Sequence, residues 1–331
     1  MPLETETLQC QYVAPDGTPC FDDAADGVSL CIWHDPAVEK SGPEWAARLE
    51  ALVRAGQSLA GFELARAQLD GINLTVPDQP TGADLRYANL NRASLKGARL
   101  YRVDLTGANL LKANLSEANL NSARLEDADL LGAVFNRAHM DDIRWGKALR
   151  QDREAYAAIR NGETTLALQK FREAEEIYRD LRLTAEAQGH RRTSGEFFYR
   201  EMLMRHYRLP RPSLARGVSS FAHILYGYGE RPAYIIGSAL TFIAVIAVFY
   251  FFLGVSDNNA LVIYDPAIGF AANIASYMRC LYFSVITFTT VGYGDVIPLS
   301  GAARAIAAFE ALSGNFIMAL FVVVFVRKLA R

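Results

Sequence analysis

Residues 83–142 read ADLRY ANLNR ASLKG ARLYR VDLTG ANLLK ANLSE ANLNS ARLED ADLLG AVFNR AHMDD. Leucine returns at every fifth position from Leu85 to Leu130, and Phe135 and Met140 keep the beat. Alanine stands two residues before it almost every time, with Val103 as one exception. Upstream, Leu59, Leu64, Leu69 and Leu74 follow the same count, and the register slips by one across VPDQPTG at 76–82, where two prolines mark an excursion. A period of five suits neither an amphipathic helix nor a half-buried strand. A short fixed repeat of this kind predicts a stacked solenoid.

The pattern A-(D/N)-L-X-X resembles the pentapeptide-repeat family over residues 57–145. The resemblance implies a right-handed quadrilateral β-helix with four pentapeptides per coil, the leucine and the small residue two before it pointing inward. Roughly seventeen repeats then make about four coils, a stack ~20 Å tall. Some members of that family imitate DNA with an acidic surface. Here 57–145 carries eleven acids and ten bases, and the whole chain has a formal charge of −2, so no nucleic acid partner is expected.

Outward from the solenoid, SGPEWAARLEALVRAG (41–56) reads as a helix that caps it. Ser41 is placed to cap that helix, Pro43 in its first turn, and Trp45, Leu49 and Val53 form one stripe. Segment 1–40 holds three of the four cysteines. Cys10, Cys20, Cys31 and His34 offer three thiolates and one imidazole, a full tetrahedral shell for a structural zinc ion. Free buried thiols and a redox role stand as alternatives. Residues 146–210 turn helical and read as an α-hairpin. Leu168, Phe171, Ile177, Tyr178 and Leu181 line one helix, and Phe197, Phe198, Met202 and Leu203 the other. The stripe reads as packing rather than a ligand pocket.

The remainder is apolar in long blocks. Residues 233–255 carry no charge over about 23 residues, roughly 34 Å of helix, enough to cross a bilayer. Residues 305–326 hold only Glu310. MPLETETLQC lacks the features of a signal peptide. Arg211, Arg216 and Arg231 precede the first span, and Arg327, Lys328 and Arg331 follow the second, whereas Arg279 and Arg304 lie between them. Both termini are therefore expected in the cytoplasm of a plasma membrane, the inner membrane of a bacterium, with membrane lipid as the surrounding partner. Residues 211–230 read as an interfacial amphipathic helix ending in GYGE (227–230), a joint ahead of the outer span at 231–255.

A second, nearly identical tetrapeptide, GYGD (292–295), has other surroundings. Between the spans, 256–300 opens as a polar, irregular external loop. Then SYMRCLYFSVITFTT (276–290), about fourteen residues and too short to span, reads as a re-entrant helix running into TVGYGD. Backbone carbonyls of Thr290, Val291, Gly292 and Tyr293, with the Thr290 hydroxyl, can replace the hydration shell of a potassium ion when four chains meet on one axis. Gly292 and Gly294 permit the alternating left-handed backbone this needs. Val291 and Tyr293 brace the filter from behind, and Asp295 stands at the outer mouth.

TTVGYGD resembles the potassium-channel signature, with YFSVITFTT as the pore helix and 301–331 as the inner helix, over about 231–331. The resemblance implies a homotetramer. Gly314 falls where family channels carry an inner-helix hinge. Where some relatives have a pore-helix glutamate behind the filter, this chain has Ile286, so Asp295 is expected to pair with Tyr282 instead. Glu310, inside a span, is a functional candidate or a structural partner of Ser284 or Thr287. Helical phase places Asn315 toward the cavity and Val322 and Val326 at an apolar gate. Cys280 reads as pore-helix packing. With no run of arginines on a helix, intrinsic voltage sensing is not expected. The chain stops four residues after Arg327, so regulation is expected through the N-terminal apparatus.

The expected fold is a multidomain membrane protein: a cytosolic β-helix, a helical hairpin linker and an all-α two-span pore. Two functions compete. One is a potassium-selective channel that the solenoid assembles or gates; the other is an interaction protein whose solenoid docks an unknown protein partner above a membrane anchor. An enzyme reading lacks a nucleophile–base pair and an open metal position.

Overall fold

The computed structural model describes residues 9–329 apart from 16, 26 and 77–80. The first eight residues, the centre of the proline excursion and Arg331 of the basic flank, all used above, lie outside the described residues. The chain forms two compact units, Met1–Arg208 and Leu209–Arg331.

The first unit is built on the solenoid. Parallel bridges join residues twenty apart, from Asp84↔Asp104 to Arg124↔Arg144, so one coil is four pentapeptides. Earlier bridges join residues twenty-six apart, such as Glu63↔Asn89, because the excursion adds six residues to that coil. Two features of the repeat explain the geometry. Where Asn or Asp precedes the leucine, its side chain accepts the amide two residues on, as Asn89 Oδ1 does from Asn91 at 3.2 Å and Asn119 Oδ1 from Asn121 at 3.1 Å. The last residue of each pentapeptide sits at positive φ whatever its type, from Arg66 and Tyr87 to Asp142. Each corner closes when the following Ala amide donates to the leucine carbonyl, as Ala88 does to Leu85 at 3.2 Å. Leu59 through Leu130, Phe135 and Met140 fill the interior, with the alanines and Val103 beside them.

Both ends of the stack are covered. At one end α1 (Glu44–Arg54) buries Trp45, Leu49 and Val53. Its N-cap is Pro43 with no side-chain bond, so Ser41 does not cap it. At the other end Trp145 packs edge-on against Phe135 and Phe197 at 6.4 and 5.4 Å. Arg150 donates to the carbonyls of Asp127 and Gly107 at 3.0 and 2.8 Å.

The linker differs from the expected hairpin: it has three helices, α2 (Arg150–Arg160), α3 (Thr164–Ala187) and α4 (Arg191–Arg208). RQDREAYAAIR looks too polar for a core helix, but α2 packs through Ala155, Ala158, Gln151 and Asp152. Tyr178 donates to Asp152 at 2.7 Å, and burial pushes that carboxyl up to about 6. Leu168 is exposed, while Phe171, Ile177, Tyr178 and Leu181 are buried. Phe198, Met202 and Leu203 are only half-buried, because α4 buries Glu201 instead. Glu201 binds Arg179 and Arg182 at 3.2 and 2.7 Å.

The second unit begins with α5 (Leu214–Tyr226), capped by Ser213, which accepts from the Arg216 amide at 3.1 Å. Gly227 ends it at φ 53°. After the GYGE turn come α6 (Pro232–Leu253), α7 (Phe270–Phe288) and α8 (Gly301–Leu329). Helices α6 and α8 are long and apolar enough to cross a bilayer. The loop expected to be irregular instead contains β1 (Val255–Asp257) and β2 (Ala260–Val262), and β3 (Val296–Pro298) pairs with β1 on its other side. Asn258 and Asn259, at φ 48° and 68°, make the two-residue turn that asparagines tolerate. Helix α7 has 19 residues rather than fourteen, since Phe270–Ala275 extends it toward Gly269. What separates it from a span is polarity, not length: it carries Asn273 and Arg279.

Candidate functional site

The chain reverses at the end of α7. The amides of Val291 and Gly292 both donate to the Ile286 carbonyl, at 3.0 and 3.2 Å, which ties the next segment to the helix. Along that segment φ is positive at Thr290, Gly292 and Gly294, at 56°, 52° and 80°, but not at Val291 or Tyr293 between them. Alternation of this kind is what lets successive carbonyls turn toward one side. The glycines take left-handed angles freely; Thr290, β-branched, does so against its preference, a strain that clusters at functional sites. Val291 and Tyr293 are exposed in the single chain.

Two contacts hold the segment's far end. Tyr282 Oη donates to Asp295 Oδ2 at 2.9 Å. The Asn258 amide donates to the Asp295 carbonyl at 3.3 Å, continuing the β1–β3 pairing. The hairpin, which the sequence does not announce, is therefore what frames the far end of TVGYGD.

Behind α7, Glu310 is fully buried. It accepts from Tyr250 at 2.7 Å and contacts the Ser284 hydroxyl, which also lies 3.0 Å from the Ile243 carbonyl. One carboxyl thus joins α6, α7 and α8. Tyr250 was absent from the sequence reading, since nothing in a 60-residue separation announces it. Thr287 does not share in this network; its carbonyl accepts from Thr290 at 3.0 Å. Cys280 is buried in the cluster formed with Tyr250, Phe283 and Val296.

Gly314 lies within the unbroken α8. A Cβ there would stand 2.1 Å from the Phe288 carbonyl oxygen. Its observed role is close approach to the end of α7. Asn315, Val322 and Val326 are exposed and spaced to share one face of α8.

In the first unit, Cys10, Cys20, Cys31 and His34 converge, with all four donor atoms within 4.8 Å of one another. Cys31 Sγ is 3.1 Å and Cys10 Sγ 3.7 Å from His34 Nδ1, and Cys20 Sγ is 3.9 Å from Cys31 Sγ. A tetrahedral zinc ion sets sulfurs about 3.8 Å apart and sulfur and nitrogen about 3.5 Å apart. His34 Nε2 faces the Ala60 carbonyl at 3.2 Å, so it carries the proton and Nδ1 presents its lone pair to the thiols. Burial keeps this imidazole below its ordinary pKa, in the neutral ligating form.

Sequence comparison agrees with both halves. Residues 238–331 match the ion channel family, and residues 81–110 and 113–143 match pentapeptide repeats. The chain thus carries an ion-channel domain behind a pentapeptide-repeat domain. It is similar to the voltage-gated potassium channel Kch of Escherichia coli, 43% identical over 51 residues, which cover 15% of this chain and 12% of that protein. Among solved structures it is similar to the pentapeptide repeat protein Rfr23 of the cyanobacterium Cyanothece: 33% identity, 28% of this chain, 59% of that one, TM-score 0.26. HetL of the cyanobacterium Nostoc, a pentapeptide repeat protein involved in heterocyst differentiation regulation, matches at 30% identity over 28% of this chain and 51% of its own, TM-score 0.22. The chain therefore spans a small part of the curated relative and a little over half of these structures.

Proposed function

We propose that this chain is one subunit of a homotetrameric potassium-selective channel. The observation that carries the proposal is the alternating backbone of Thr290–Gly294, hung from the Ile286 carbonyl and framed by Tyr282 and β1. Four such segments around an axis would present stacked carbonyl rings to a dehydrated cation. The exposed Val291 and Tyr293 would pack against neighbouring subunits, Asn315 would face the cavity, and Val322 and Val326 would close it by dewetting. Potassium as the ion is also what the name of the similar E. coli protein suggests. Both termini would lie in the cytoplasm, with Leu214, Val218, Phe221 and Ile224, all exposed on α5, set in the lipid interface. No helix among the described residues carries a run of arginines, so the channel would not sense voltage by itself.

Gating would enter through the GYGE turn. Buried Glu230 pairs with Arg327 at 3.5 Å, and Lys328 donates to the Glu230 carbonyl at 3.4 Å, so the turn grips the end of the pore-lining helix. The pentapeptide-repeat domain precedes this turn in the chain and would assemble or gate the pore. The Cys/His cluster would hold a structural zinc ion. Flux into proteoliposomes tests the channel reading: potassium should enter, and Gly292→Ala should abolish entry. Flux retained in that variant would contradict it.

A further inference from the structure

We propose that the ion held by Cys10, Cys20, Cys31 and His34 fastens the end cap of the β-helix, so that closure of the first coil depends on metal. The proposal rests on the zinc reading above and adds what the metal does.

Three observations point the same way. First, the metal-binding segment is the surface on which the first coil ends. The Glu63 amide, which has no preceding coil to pair with, donates to the Trp33 carbonyl at 2.8 Å. Trp33 stacks on Phe62 at 5.0 Å and 9°, and meets Trp45 of α1 edge-on at 5.4 Å. Second, a ligand is itself bonded to the solenoid: His34 reaches the Ala60 carbonyl through Nε2 and sits edge-on to Phe62 at 5.3 Å. Tyr12 stacks on His34 at 3.9 Å and lies so close over Gly61 that a Cβ there would be 1.8 Å from its hydroxyl. Third, the segment has little else to hold it. Its described residues form no helix or continuous strand, only the isolated bridges Gln9↔Asp23 and Val13↔Pro19 with turns and crossings such as Gln11 to Ser29 at 2.9 Å, and Phe21, Val13 and Val28 are exposed. A segment of this size needs a staple.

Charge fits a thiolate-rich site. Zinc with three thiolates and a neutral imidazole carries one net negative charge. Lys40, 1% exposed, donates to the carbonyls of Asp35 and Val38 at 3.1 Å each and so sets a buried cation on the segment that follows His34. Solenoid ends need capping because an open coil exposes both its apolar interior and a row of unpaired amides. Metal loss would free the His34 and Trp33 contacts together and strip Phe62 and the Glu63 amide of their partners.

The test uses the full-length protein in detergent. Elemental analysis should find one zinc per chain, and cobalt substitution should give the intense visible bands of a tetrahedral thiolate site. Hydrogen exchange is then compared before and after chelation. Amides of residues 59–74 should exchange roughly tenfold faster or more after chelation, while those of 110–144 stay protected. His34→Cys separates the two claims: it should still bind metal, now through four sulfurs, yet lose the Ala60 bond and show faster exchange in the first coil. Absence of stoichiometric metal would overturn the zinc reading and this proposal with it. Metal bound, with exchange in 59–74 unchanged by chelation and by His34→Cys, would overturn the cap and leave the zinc reading intact.

Discussion

Alanine at position 314 would place a methyl carbon 2.1 Å from the Phe288 carbonyl oxygen, 3.0 Å from its carbon and 3.2 Å from its Cα. All three are backbone atoms, so no rotamer change can relieve the contact. The ends of α7 and α8 must separate by about 1 Å, and overpacking of this kind costs about 1–3 kcal/mol. Phe288 is two residues before Thr290 and two after Ile286, whose carbonyl holds the Val291 and Gly292 amides. A shift there passes directly into the Thr290–Gly294 segment. Gly314→Ala should therefore lower the thermal stability of the purified assembly and weaken discrimination between potassium and sodium. Gly237→Ala in α6, where a Cβ meets nothing within 4 Å, is the control and should leave both intact. The assay pairs a melting curve followed by size-exclusion chromatography with reversal potentials in planar bilayers. A glycine serving only as a hinge predicts altered open probability with stability and selectivity unchanged, and that result would refute the packing argument.

Other expectations follow from the same structure. Ser284 has one proton for two acceptors, so Glu310→Gln, whose amide can donate to Ser284 and accept from Tyr250, should keep the assembly stable. Glu310→Ala should orphan the Tyr250 hydroxyl at about 1–3 kcal/mol, while Ser284 keeps the Ile243 carbonyl, and the loss is read as a fall in melting temperature. Tyr282→Phe removes the 2.9 Å bond to Asp295 and should change inactivation kinetics; unchanged kinetics would show the bond to be idle. Asp152 binds its proton more tightly folded than unfolded, because burial lifts its carboxyl from 3.8 to about 6. Its contribution is thus full below pH 3.8 and lost as pH rises through about 6, on the order of 2–3 kcal/mol. Asp152→Asn should flatten that dependence in a melting-temperature series.

The parts legible in sequence were those with a repeating or backbone-determined signal. Leucine every fifth residue announces a stacked solenoid, and the resemblance to pentapeptide repeats implies the leucines and alanines that fill it. The glycines at 292 and 294 likewise announced their angles. The corners hid a rule of their own, since residues as unlike as Arg66, Tyr87 and Glu117 all adopt positive φ there. Misreadings came where tertiary contacts override local character. Helix α2 is polar by composition and core by packing, because Asp152 finds Tyr178 and Gln151 finds Asp129 at 2.8 Å. Asn258–Asn259 was a hairpin turn, yet three-residue strands give too short an alternation to recognise. At Gly314, where the resemblance implies a hinge, no sequence signal announces that the Phe288 carbonyl occupies the space its missing side chain leaves.

The central claim is that TVGYGD selects potassium, and bi-ionic reversal potentials across a planar bilayer test it most directly. With potassium on one side and sodium on the other, the purified full-length protein should hold a reversal potential far toward potassium, moving by about 59 mV for each tenfold change in potassium activity. A reversal potential near zero at equal concentrations, with open channels present, would contradict the account.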